Sequence, residues 1–394
     1  MPKGKRTLSG SYSQNWPAYY EARVNEEPHF HWLLKELCCE IEEPAHITGR
    51  RPFLLADMVY SMVYKVYSGR ATQRFEHNLQ EAYDKGFIKK PPKPNTLSDY
   101  MRMGSLTPIL YHLLVMSSLP LAEVENIFAV DSSGFSAPRR RYVFNRHKGR
   151  WEKKRDHIKL HIICGVKTNV ITCAEVTAGT VSDRNFLKPL VERTARYFNI
   201  SEVSADGGYL SGENFRTVIL LGGKPYIAFY KNCALDADFK SLAWKETLRL
   251  WKDRNQEIMN KYYLRNNVEA IFSSIKRVFG EDLKSKSDTG LINEVLCKAL
   301  CHNICVLVHS MFELGINPTS WSNAKLTSRA QTNSIGVALT DTELSLVQNR
   351  IAVATVKPPL QPVGTDELAN RGKRSSKSRR GKERDENQIS LFKI

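Results

Sequence analysis

The chain has 394 residues, of which 42% are hydrophobic, a formal net charge of +17 and a pI near 9.4. That length supports one sizeable core and a second, smaller domain, while no apolar run of about 18 residues and no apolar stretch behind the basic start argues for a membrane span or a secretory signal. The charge surplus favours a polyanionic partner, and the eight cysteines, which show no paired CxxC knuckles, suit reduced thiols in a cytoplasmic protein.

Residues 11 to about 120 read as mostly helical, with apolar residues at helical spacing in Phe30 to Ile41 and in Phe53 to Tyr67. After Pro91-Pro92-Lys93-Pro94, the segments from Asn95 to Tyr100 and from Leu106 to Leu119 read as a helical hairpin or a helix-turn-helix unit. Strands follow at Ile127 to Asp131, Ile158 to Lys167 and Val170 to Ala178, the last two joined by a turn at Thr168-Asn169. A helix is predicted from Ser182 to Phe198, then a strand at Glu202 to Ala205, a helix at Ser211 to Leu221 and a strand at Pro225 to Phe229. Long helices over 240–279 and 287–314 close the pattern, which predicts an α/β domain with a mixed sheet. Beyond Asn317 the apolar periodicity fades, and residues 371–384 hold eight Lys/Arg against one acid, the pattern of a disordered basic tail.

Three carboxylates stand out within this order. Asp131 ends the first strand, Asp206 follows the fourth in Ala-Asp-Gly-Gly, and Glu269 lies on a late helix inside Tyr262-x2-Arg265-x3-Glu269-x6-Lys276. Singly, each is as readily a turn or surface residue; together they are what holds hard divalent cations against a phosphodiester. At about 100° per residue, Tyr262, Arg265, Glu269 and Lys276 share a stripe about 60° wide on one helix face. Val268, Ile271, Phe272, Ile275 and Phe279 fall on the neighbouring face.

Between the first two strands, Arg139 to Lys159 carries ten Lys/Arg with Tyr142, Phe144 and Trp151 interleaved. It reads as a solvated loop or as a contact to a DNA backbone, made by Lys153, Lys154, Arg155 and Lys159 among others. His161 either faces the carboxylates or packs in its strand, and Cys297, Cys301 and Cys305 either ligate a metal or pack in an apolar helix.

The carboxylate constellation, with Ala129-Val-Asp131-Ser-Ser-Gly-Phe, Gly179-Thr-Val-Ser-Asp183, Ala205-Asp206-Gly-Gly-Tyr209 and the Tyr262 to Lys276 spacing, resembles the DDE transposases of insertion sequences over about residues 126 to 312. The resemblance implies a ribonuclease-H-like, retroviral-integrase-like catalytic domain at 126–316. A helical domain at 1–125 for DNA-end binding or dimerisation would precede it, and a weakly structured region at 317–394 would follow. It further implies Asp131, Asp206 and Glu269 as the catalytic, metal-binding triad for two Mg²⁺ or Mn²⁺ ions, with Tyr262, Arg265 and Lys276 supporting DNA. The implied partners are double-stranded element ends and target DNA, with a homodimer synapsing two ends in a nucleoid-associated setting. The 63 residues between Asp206 and Glu269 leave little room for a large β insertion. Two other expectations stay open, a transposase-derived DNA-binding protein that no longer cuts and a nuclease of the same fold.

Overall fold

The computed structural model describes residues 15–45, 52–145, 147–233 and 242–319. The basic tail at 371–384 and the rest of the 317–394 region beyond residue 319 lie outside them. All the described residues belong to one compact unit.

Six α-helices open the described residues: α1 (Trp16–Val24), α2 (Glu26–Cys39), α3 (Leu55–Ser68), α4 (Glu76–Asp84), α5 (Pro94–Met101) and α6 (Leu106–Met116). Then come β1 (Ile127–Asn145), β2 (Arg150–Gly165), β3 (Ile171–Ala178), α7 (Leu187–Thr194), β4 (Glu202–Ala205), α8 (Gly212–Leu220) and β5 (Lys224–Ile227). Four helices finish the described chain: α9 (Leu242–Lys252), α10 (Gln256–Tyr263), α11 (Asn266–Phe279) and α12 (Asp288–Leu314).

The sheet order is β3-β2-β1-β4-β5, with β2 antiparallel to both β1 and β3, and with β4 and β5 parallel to β1. β3 is buried at every position, so helices must cover it on both faces. This mixed five-stranded sheet with flanking helices is the ribonuclease-H-like arrangement.

Helix α12 is the axis of the core. It is apolar and long enough to cross a bilayer, yet 94% of its most apolar stretch is buried inside the protein. Two buried asparagines explain how so apolar a helix is fixed in one register. Asn293 accepts from Thr107 Oγ1 at 2.7 Å and donates to the Met101 carbonyl at 2.9 Å, tying α12 to α5 and α6. Asn303 accepts from Ile171 N at 2.9 Å and donates to Ile171 O at 2.7 Å and Ser117 Oγ at 2.9 Å, tying it to β3 and the end of α6. Helices α5 and α6 bend by 82° relative to each other and bury Leu97, Met101, Leu106 and Leu110. Cys297 and Cys301 are buried and Cys301 donates to the Val63 carbonyl, so these thiols pack against α3.

Three expectations change. The first strand does not stop at Asp131: β1 runs to Asn145 and pairs with β2 down to Asn145↔Arg150, so the basic segment is a two-stranded arm. Alternating Tyr142 and Phe144 with a cross-strand Phe144–Trp151 ring contact, centroids 5.4 Å apart, stabilise pairing despite the charge. Gly149 supplies the positive φ, 58°, that closes the turn. The helix expected over 182–198 shortens to a 3-10 turn, Asp183–Asn185, followed by α7. The span 240–279 holds three helices, not one: Arg254 at φ 50° separates α9 from α10, and bonds such as Arg265 N to Tyr262 O tighten the chain between α10 and α11.

Candidate active site

Parallel pairing of β1 with β4 places Val130 opposite Ala205, so Asp131, still within β1, and Asp206, just past β4, lie side by side. Each is fixed by a nearby backbone donor. Asp131 Oδ1 accepts from Ser132 N at 2.8 Å, and Asp206 Oδ1 accepts from Gly208 N at 2.7 Å, capping a 3-10 turn, Gly207–Tyr209. A Cβ on Gly208 would lie 2.9 Å from Asp206 Oδ1, so a larger residue there would displace that carboxylate oxygen.

Glu269 stands in the first turn of α11 with its side chain 53% exposed. Helix α11 is held against the sheet by buried Val268, Ile271, Phe272 and Ile275, which leaves the Glu269 face open. The guanidinium of Arg265, at the start of α11, joins the two sides of the site. It lies 3.3 Å from Asp131 Oδ2 and 2.8 Å from Glu269 Oε1, and its Nε donates to Tyr262 Oη at 3.1 Å. Tyr262, on the last turn of α10, also stacks its ring 5.6 Å from the guanidinium carbon. The four-residue stripe is therefore split between two helices, but Tyr262, Arg265 and Glu269 still meet.

Lys276 does not join them. It pairs with Glu281 at 3.1 Å and sits 5.5 Å above the Phe135 ring, further along β1. Lys159 is turned inward, 2.8 Å from Asp183. Lys153 lies 6.0 Å over Tyr142 and Lys154 is 3.7 Å from Glu152, both on the arm. Arg155 is at the arm's base, bonded to the Ala137 carbonyl at 3.1 Å and to Asp282 at 2.9 Å.

His161 is fully buried in β2, bonded to Thr177 Oγ1 at 2.9 Å and stacked on Phe186. It thus packs in its strand, and its Nδ1 is also 3.6 Å from Asp183 Oδ1. Asp183 was missed as a candidate, although its Gly179-Thr-Val-Ser-Asp183 motif was legible, because the sequence pattern makes it a first-turn helix residue.

Burial first, and with it the charges of Asp206 and Glu269, raise the pKa of Asp131 to about 6. The Ser132 N–H and Arg265 act against this. Three carboxylates give the hard oxygen donors that Mg²⁺ or Mn²⁺ takes, and a carboxylate that resists ionisation when alone gains most from a cation. Among the described residues, however, no three His, Cys, Asp or Glu side chains are grouped as closely as one metal ion needs. Asp131 and Glu269 face each other across Arg265.

Two carboxylates thus stand beside each other on adjacent parallel strands of this mixed sheet, with a third on a late helix. Residues 123–304 match the transposase DDE domain family, and this part of the chain is a DDE transposase domain. A chain from the cryo-EM structure of a piggyBac transposase synaptic complex with hairpin DNA is similar at a TM-score of 0.35 and 12% identity, over 89% of this chain and 84% of that one. A comparison with curated proteins found no match.

Proposed function

We propose that the protein is a DNA transposase that cuts phosphodiester bonds at the ends of its element and joins the freed 3′-hydroxyls to target DNA. The observation that carries this is the β1–β4 register, which sets Asp131 and Asp206 side by side just past the Val130–Ala205 pair, with Glu269 linked to Asp131 through Arg265. Asp131, Asp206 and Glu269 would hold Mg²⁺ or Mn²⁺, which when bound offsets negative charge at the phosphodiester and on the attacking and leaving oxygens.

The chain's own groups do the positioning. Ser132 N and Gly208 N hold Oδ1 of Asp131 and of Asp206, and Arg265 holds Oδ2 of Asp131 at 3.3 Å. Arg265, anchored by Tyr262, is placed to exchange a carboxylate for a flanking phosphate, since a guanidinium matches both. The arm's exposed cations extend the phosphate track beyond the site. The helices before residue 125 would supply DNA-end binding or dimerisation, with a homodimer holding two ends.

The test is a joining assay with a donor plasmid carrying the DNA that flanks this gene, an unrelated target plasmid, and Mg²⁺. Wild-type protein is expected to cut and join, while Asp131→Ala, Asp206→Ala and Glu269→Ala each lose both activities and keep gel-shift binding. Cleavage without joining would mean a nuclease of this fold. Binding alone, equal in wild type and variants, would mean a DNA-binding protein.

A further inference from the structure

We infer that Asp183 is a positioning residue of this active site, acting on Asp131 through Ser132 and keeping the Lys159 ammonium off the catalytic carboxylates. This rests on the proposed role of Asp131, Asp206 and Glu269. Asp183 opens the 3-10 turn after β3. Its Oδ1 accepts from Lys159 Nζ at 2.8 Å and from Ser132 Oγ at 3.1 Å. Ser132 in turn donates its backbone N–H to Asp131 Oδ1 at 2.8 Å. An unbroken path therefore runs from β2 through the turn to the carboxylate on β1.

Asp183 also reaches the second catalytic strand. The Cβ that Gly208 lacks would lie 3.8 Å from Asp183 Oδ2 and 2.9 Å from Asp206 Oδ1, so the two carboxylates flank the same glycine. One side chain outside the expected triad thus borders both the β1 and the β4 side of the site.

Lys159 makes this arrangement necessary. It shares a face of β2 with His161, whose partner across the pair is Ser132, so Lys159 and Ser132 reach Asp183 from the same face of the sheet. Its side chain is only 19% exposed, and its contacts are Asp183 Oδ1 and the Val181 carbonyl at 3.2 Å. A part-buried ammonium without its carboxylate seeks another. Asp206, which flanks Gly208 together with Asp183, is the catalytic carboxylate at hand, and an ammonium paired there competes with a divalent cation.

The experiment is Mn²⁺ titration calorimetry on the full-length chain without DNA, beside single-turnover cleavage and thermal melting. Asp183→Asn is expected to weaken Mn²⁺ binding about 10–100-fold, the usual range for a residue that orients a metal-holding side chain. Ser132→Ala should weaken it in the same direction, and Ser132→Ala/Asp183→Asn should be no worse than Asp183→Asn alone, because both lie on one path. Adding Lys159→Met to Asp183→Asn should restore part of the lost affinity.

Unchanged Mn²⁺ affinity in Asp183→Asn with a lowered Tm would make Asp183 a structural ion pair and overturn the inference. So would effects of Ser132→Ala and Asp183→Asn that simply multiply. If Asp183→Asn fails to fold, Ser132→Ala, which removes a single hydroxyl, still decides by the same titration. A wild type that binds Mn²⁺ but neither cuts nor joins DNA counts against the proposed function and leaves this inference standing.

Discussion

Asp131 carries its charge where the protein resists it. The side chain is 18% exposed, and burial lifts its pKa to about 6 from an ordinary 3.8. Because the folded value lies above the unfolded one, the native state binds the extra proton between these values and stability falls as pH rises through about 6. Asp131→Asn is therefore expected to stabilise the protein at pH 8 in EDTA by about 1–3 kcal/mol, the upper figure being about two pKa units converted. Equal melting of variant and wild type at pH 8 would rule this out. Arg265 lies at the same place with the opposite sign. Arg265→Ala should retain Mn²⁺ binding in calorimetry and lose about tenfold or more in single-turnover cleavage, since what it removes is alignment; near wild-type cleavage would end its role as a phosphate grip. The carboxylates were legible as residues because strand ends and a helical stripe mark them locally. Asp183 and the inward Lys159 were not, because their pairing links β2 to a turn beyond β3, and no spacing within a single element records it.

Among the elements, the β1–β2 arm differs most from its reading in the sequence. A dense run of cations looks like a loop, but in an antiparallel pair those cations line the outside while aromatic neighbours hold the strands together. The arm's base is spent on structure: Arg139 pairs with Asp156 at 2.9 Å and with Asp288, and Leu283 N donates to Ser136 O at 2.8 Å. Under the proposed function its outer cations, which share Glu152, would neutralise phosphates. Lys153→Ala with Lys154→Ala should lower the slope of log K against log salt by up to about 0.9 for each phosphate no longer neutralised. Arg155→Ala should instead cost up to about 1 kcal/mol of stability and change the slope less, because its partners are Asp282 and Ala137. Equal slope changes from Lys154→Ala and Arg155→Ala would show that the arm's base also touches DNA. Elsewhere, β4, β5 and α8 were placed to within about two residues, since short β-branched strands and a Ser N-cap are local signals. The break at Arg254 carries no glycine or proline and was invisible.

For the molecule as a whole, the decisive element is α12, and its buried polar groups set how the fold fails. Asn303→Ala would leave both backbone groups of Ile171 without their partner, at a cost of about 2–4 kcal/mol in urea unfolding. A loss below about 1 kcal/mol would mean that water replaces the amide. Acid acts through histidines. Burial pulls His31 and His302 down to about 4, so both are neutral when folded and protonate when unfolded. Their stabilising contribution is complete above pH 6.5 and is lost as pH falls toward 4. The Asp131 shift runs the other way over much of that window. Melting temperature should thus fall below pH 6.5, and more steeply in Asp131→Asn than in wild type; parallel curves would refute the opposing signs.

The central place of α12 also sets a timetable for the nascent chain. Helices α3, α5 and α6 bury their apolar faces on the last-made of the described helices. At about 5–20 residues per second, the roughly 200 residues from Met116 to Leu314 take about 10–40 s to emerge. For that interval the first third of the protein is on the outside of the ribosome without its core, a client for chaperones. Ribosome-bound chains arrested before residue 288 should therefore be cut readily by protease throughout residues 52–116, and chains arrested well past Leu314 should resist.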